Sequence, residues 1–273
     1  MQQRERDRVA AEIDRRLADE TGVPFTLYLR PFTSTGRVRI PLKSVVFKRG
    51  VIAGPGTIYD PQLGGSSRLK RYVTFGDFET ELADAVESSA PLVALGRPGE
   101  QIGAGRIDTS DKEWRGKFSQ LATRAVAIVL VPSVRPGTHD EMDAILSMPE
   151  WVTKTLFFVP PSDTVLGSGA GPHLGVGAKP GPVGSLPLRD DAIDALGALS
   201  SNVPVKDLQR DQAGALLRLN ADGGVGFYYA LQIKEGFSLL SAAGSNMHVD
   251  MAGLQQEIRR FLHDCIEGRS RRA

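Results

Sequence analysis

An α/β fold with a doubly wound parallel sheet is the architecture this sequence predicts, and three observations predict it. The runs at 25–29, 92–95, 125–131 and 155–159 are apolar but for Thr26 and Thr155, too uniformly so for strands with one wet face. They alternate with segments of helical period, as β-α-β units require. The loops that follow them are rich in Gly, Pro and Arg, the composition expected where such sheets meet ligands. Helices on both faces, with insertions between the units, complete the expectation.

The elements follow in order. At 4–20, Val9, Ile13 and Leu17 recur four apart among charges, which predicts an N-terminal amphipathic helix over 1–20. A single domain then occupies 21–268, beginning with the strand FTLYLR at 25–30, closed by Pro31. The segment 36–75 carries Arg37, Arg39, Lys43, Lys48, Arg49, Arg68, Lys70 and Arg71 against one acid, Asp60, and is too long for a simple connection. It reads as an insertion with a hairpin at 45–47 and 51–53. Asp77 N-caps a helix through Glu87, with Leu82, Ala85 and Val86 facing inward.

A strand at 92–95 leads into a glycine- and arginine-rich loop, a helix at 111–124, and the strand AVAIVLV at 125–131. Thr138 opens a helix to Leu146, and the strand at 155–159 stops at Pro160-Pro161. A second insertion, 162–188, holds so few core-forming side chains that it predicts a mobile loop or lid. A helix at 190–199, a strand or hairpin at 225–241 and a helix at 249–266 follow. Leu254, Ile258, Phe261, Leu262 and Cys265 form the buried stripe of that last helix, and 269–273 is a basic tail.

Composition narrows the function classes. With 273 residues, 41% of them hydrophobic, the chain can bury one large core. Thirty-three basic against 32 acidic residues give a net charge of +1, so the whole-molecule field does not argue for nucleic-acid binding and any cationic site must be local; neither nucleic acid nor a membrane is the expected partner. Cys265 is the only cysteine, and His173 and His248 lack partners at ligand spacing, so neither a disulfide nor a metal is expected. A charged N-terminus without an apolar core and the absence of a membrane-length apolar run predict a soluble, cytoplasmic protein.

The candidate site gathers at the strand ends. Arg30 and Phe32 follow the first strand and can meet a pyrophosphate and a ring; the plainer alternatives are a surface arginine and a core phenylalanine. Arg97 and Arg106 bracket the glycine loop and are planar donors suited to phosphate, or they pair with Glu100 and Asp108. Trp114 packs beneath the site or against a neighbouring helix. Glu141 follows the strand at 125–131 with Asp140 beside it, and two converging carboxylates would raise each other's proton affinity. Thr138 to Glu141 also fits the T-x-x-E capping box, in which the glutamate caps its own helix.

The phrases FTLYLRPF, DFETELADAV, PLVALGRPGE, GRIDTSDKEW, AVAIVLVPS and GTHDEMDAIL, in this order over about residues 25–159, resemble a bacterial branch of the TIR-like (Toll/interleukin-1 receptor-like) domains. The resemblance implies a flavodoxin-like sheet, NAD as substrate or ligand with no separate cofactor, and cleavage of the nicotinamide–ribose bond in antiphage defence or signalling. It carries the family's catalytic glutamate onto Glu141, and it implies self-association on activation. Members commonly have an aromatic residue before that glutamate, where this chain has Asp140. Nicotinamide leaves as a neutral molecule, so a carboxylate that steadies the ribosyl cation suffices. Two other expectations stand beside this one: a noncatalytic interaction or nucleotide-sensing module, and peripheral binding of nucleic acid or anionic lipid through 36–75.

Overall fold

The computed structural model describes residues 3–17, 23–31, 37–48, 58–59, 69–96, 103–161, 165–167, 188–199, 202–210, 213–236 and 246–270. The chain begins α1 (Gln3–Arg15), β1 (Thr26–Leu29), β2 (Arg37–Lys48), β3 (Ile58–Tyr59), β4 (Leu69–Asp77), α2 (Phe78–Val86), β5 (Leu92–Gly96) and β6 (Gly105–Asp108). It continues α3 (Trp114–Arg124), β7 (Ala127–Leu130), α4 (Pro136–Leu146), α5 (Pro149–Val152), β8 (Thr155–Val159) and β9 (Val165–Gly167). The last elements are α6 (Leu188–Leu199), α7 (Val205–Arg210), β10 (Ala215–Leu219), β11 (Val225–Ala230), β12 (Ile233–Gly236), β13 (Asn246–Val249) and α8 (Met251–Ser270).

Seven strands form the central sheet in the order β11-β10-β8-β7-β1-β5-β6. The five from β8 to β6 are parallel, while at the other side β10 pairs antiparallel with both β8 and β11. Both faces are covered, which is why the strand sequences are apolar without alternation. Leu27, Leu29, Ile128, Leu130 and Phe157 share one core with Ile13, Phe118, Leu121, Met142 and Ile145. Tyr28, Ala94, Val129 and Phe158 share the other with Phe78, Leu82, Val86, Leu254 and Ile258. Phe78 stacks on Phe158 at 3.9 Å between ring centres, tying α2 to that face.

The connections place the switch point of the sheet. From β1 the chain crosses one face through α2 to β5; from β6 it crosses the other face through α3 to β7, on the far side of β1. The loops leaving β1 and β7 therefore diverge, and the crevice between them is the topological switch point at which open α/β sheets take ligands. Arg30 begins one of these loops and α4 begins after the other.

Several expected boundaries shift. The segment 36–75 is not a short hairpin: β2 pairs with β4 from Arg39↔Asp77 to Lys48↔Leu69, with a register shift between Pro41 and Lys43. Together with β3, β9, β12 and β13 these strands form a second, six-stranded sheet. Residues 51–53 lie outside the described residues. β9 pairs with β2, α6 starts at Leu188, and the remainder of the second insertion, 162–164 and 168–187, also lies outside them. The expected hairpin at 225–241 is divided: β11 pairs with β10 in the central sheet, whereas β12 pairs with β13 in the second. Among the described residues no helix is long and apolar enough to cross a membrane.

The glycine loop contains an unexpected strand. Gly105–Asp108 adds to β5 as a parallel edge, and α1 lies against it with Ala10 and Ile13 buried. Gly105 is required by that approach, since a Cβ there would stand 2.4 Å from the Arg6 carbonyl oxygen and 3.0 Å from the Ala10 Cβ. Gly105→Ala is expected to cost about 1–3 kcal/mol by forcing α1 outward, read as a lower urea midpoint. An unchanged midpoint would show that α1 is not seated there.

Candidate functional site

A buried ionic cluster occupies the switch point. Arg30 lies one residue beyond β1 and is 3% exposed; its Nε is 2.8 Å from Oε1 of Glu79, in the first turn of α2. The local sequence explains why Glu79 sits there. Asp77 caps α2 by accepting from the Glu79 backbone N–H at 3.1 Å, and the positive end of the helix favours an acid in that turn. The other Glu79 oxygen accepts from the Gly103 N–H at 2.9 Å, so the loop after β5 is fastened to the same pair.

Glu141 projects into this cluster from α4. It is fully buried, and neither carboxyl oxygen makes a hydrogen bond. Burial pushes its carboxyl up to about 8, opposed by the charge of Arg30 and assisted by that of Asp140. With Glu141 protonated, the Arg30–Glu79 pair and the Glu141 acid form a neutral group, the arrangement that a low-dielectric interior favours. The Tyr28 hydroxyl on the next strand position inward is also buried without a hydrogen bond, and burial and the nearby Glu79 carboxylate raise its proton affinity.

The capping-box explanation of Glu141 does not hold. α4 begins at Pro136, with Arg135 at the N-cap and no side-chain cap. Thr138 is therefore already inside the helix, and its hydroxyl donates to the Arg30 carbonyl at 3.2 Å. Pro136 starts the helix early because its fixed φ suits the first helical position. The cap that a T-x-x-E reading supplies is not used, and Glu141 is left without that structural task.

A cover lies over the approach to α4. Asp191 in the first turn of α6 accepts from the Ser133 hydroxyl at 2.6 Å and from the Val134 N–H at 3.2 Å, with Arg135 Nε at 3.9 Å. Glu141 itself has no exposed surface, so a solute reaches it only if the structure around it parts.

The remaining expected residues are dispersed. Phe32 and Arg97 lie outside the described residues. Arg106 stands on β6, three strand spacings or about 14 Å from β7. Its Nε is 2.6 Å from Asp108 and its backbone N–H donates to Asp7 of α1, so the structure does not bring it to Glu141. Asp140 faces away from its neighbour: Oδ2 accepts from Arg115 Nη2 at 2.6 Å on the outer side of α4. Trp114 is on that outer side too, with Phe118 and Trp151, around a groove of about 350 Å³. Among the described residues no group of acids, histidines and cysteines is placed to hold a metal.

Glu79 is the member of the cluster that sequence reading missed. An acid two residues after an N-cap is the commonest favourable choice at a helix start, which masks any other role. The usable signal was Arg30 at the end of a fully buried strand sequence, since a buried cation at that place demands a carboxylate. No family model, curated protein or solved structure matches this chain.

Proposed function

We propose that this chain is a TIR-like module with a flavodoxin-like sheet that binds NAD or a related dinucleotide at the switch point between β1 and β7, and cleaves its nicotinamide–ribose bond through Glu141. The helix-linked strands stand in the order β5-β1-β7-β8 once β6 is taken as an added edge, which suits such a sheet. The observation that carries the reading is the Glu141 carboxyl: buried, without a hydrogen bond at either oxygen, and carried by the helix that follows β7 at the switch point of the sheet. A carboxyl kept in that state costs stability and has no capping task to explain it.

The chemistry requires the covered state to open. Rehydration returns the carboxyl toward its ordinary acidity, and the resulting carboxylate steadies the ribosyl cation as the C–N electron pair departs with nicotinamide. Water then adds to the anomeric carbon and gives up a proton, leaving ADP-ribose. Arg30 supplies the cation for the pyrophosphate. Self-association is the event that parts the cover, so activity is expected to rise more steeply than protein concentration.

Incubating concentrated protein with NAD and measuring released nicotinamide tests this. Glu141→Gln is expected to lower the rate about a hundred-fold or more. If both proteins are silent at every concentration, cleavage is excluded. A second reading, a noncatalytic nucleotide-sensing module, is favoured by the complete burial of Glu141 and its neutral form near pH 7. Saturable NAD binding without nicotinamide release would select it.

A further inference from the structure

The groove on the outer side of α4 is built for a charge. The chain has two tryptophans, Trp114 and Trp151, and both line it. Phe118 stands between them, with its ring centre 6.4 Å from that of Trp114 and 5.7 Å, edge-on, from that of Trp151. Phe118 and Trp151 are 3% and 5% exposed, so this wall is fixed by the core behind it. Asp140 and Asp143 line the other side from one turn of α4.

A cation of the chain's own already uses this arrangement. The Arg115 guanidinium carbon is 5.6 Å from the centre of the Trp114 ring, while its Nη2 is 2.6 Å from Asp140. Arg115 is 75% exposed and can swing out with little loss of packing. Two carboxylates and one guanidinium line the groove, and His139, 3.3 Å from Asp143, adds charge only when protonated, so the groove carries a surplus negative charge. An anion is disfavoured by that surplus, and a bare metal ion by the aromatic wall.

We propose that this groove binds a small organic cation of the methylated-ammonium class, its charge toward Asp143 and Asp140 and its methyl groups on the Trp114 indole. The volume, about 350 Å³, lies within the range of small-molecule pockets, and an aromatic face beside a carboxylate is the chemistry that recognises such ions. The site is separate from Glu141, and its test is independent of the NAD reading.

Because both indoles lie in the groove, intrinsic tryptophan emission reads this site alone. Titration of the full chain with choline chloride is expected to give a saturable change, with affinity about ten-fold higher than for its neutral carbon isostere, dimethylbutanol. Asp143→Asn should weaken choline several-fold. Arg115→Ala should tighten it, because the internal competitor is gone, an outcome that a purely structural groove would not give. Both substituted residues are more than half exposed, so the variants retain the fold. Equal binding of the neutral isostere, the same response to sodium chloride, stronger binding of an adenine nucleotide, or an Arg115→Ala variant no tighter than the parent would each overturn the proposal.

Discussion

Transfer from mildly acidic to alkaline solution is expected to destabilise this fold by about 5 kcal/mol through one carboxyl, that of Glu141. Its ordinary value of 4.5 rises to about 8 on folding, and each unit corresponds to about 1.36 kcal/mol. The folded state holds the proton more tightly than the unfolded chain. The contribution is therefore fully present below 4.5, declines as the pH climbs, and is gone once the pH passes about 8. Glutamine carries no charge at any pH, so Glu141→Gln should match the parent in acid and exceed it in alkali. Urea midpoints of the two proteins across this range measure the difference, and parallel curves would refute the assignment. A native protein that relieves the charge by parting its cover loses less than the full amount. In that case the missing stability should reappear as faster hydrogen exchange at 133–141, which is the opening that the proposed cleavage requires.

The sheet was legible where strands are buried on both faces. The runs containing Leu27, Val93, Ile128 and Phe157 read as buried strands because helices cover each side and leave only Thr26 and Thr155 as polar positions among them. β6 was hidden because Gly105, Arg106 and Asp108 answer to α1 and to their own ion pair rather than to a pleated apolar face. β10, the run ALLRL, had a strand signal and a following turn, yet its partners come from β8 and from a hairpin strand that sequence spacing joined to β12 instead. The second sheet unites segments separated by more than a hundred residues, and no local pattern specifies such pairing.

The site was half legible for a related reason. Arg30 and Glu141 follow apolar strands, and strand ends in this architecture are predictable positions. Adjacent residues on a helix point about 100° apart, so Asp140 and Glu141 were bound to serve different surfaces once α4 was docked. Which of the two faced inward depended on where the helix started, and Pro136 rather than Thr138 decided that. The partner of Arg30 depended on packing α2 against the same crevice, which is tertiary information.

Arg30→Met is the substitution expected to cost the fold most, about 3–5 kcal/mol, because it deprives a fully buried Glu79 carboxylate of its ion pair. The loss is not the worth of the pair. It is the penalty for one charge left in a medium that cannot solvate it, and a second substitution should remove it. Glu79→Gln keeps an oxygen to accept from the Gly103 N–H while discarding the charge, so the double variant is expected to return to within about 1–2 kcal/mol of the parent. Urea unfolding of the four proteins gives the coupling directly, and additive costs would show that Arg30 and Glu79 do not depend on each other. The same variants report on Glu141. Arg30 is the charge that restrains its proton affinity, so Arg30→Met should move the Glu141-linked loss of stability to higher pH. Glu79→Gln alone should move it lower, because a guanidinium no longer claimed by α2 can turn to the remaining acid. If the two shifts run in these opposite directions, Arg30 is shared between the helices that follow β1 and β7. Parting the cover then changes one guanidinium's partner and one carboxyl's charge together.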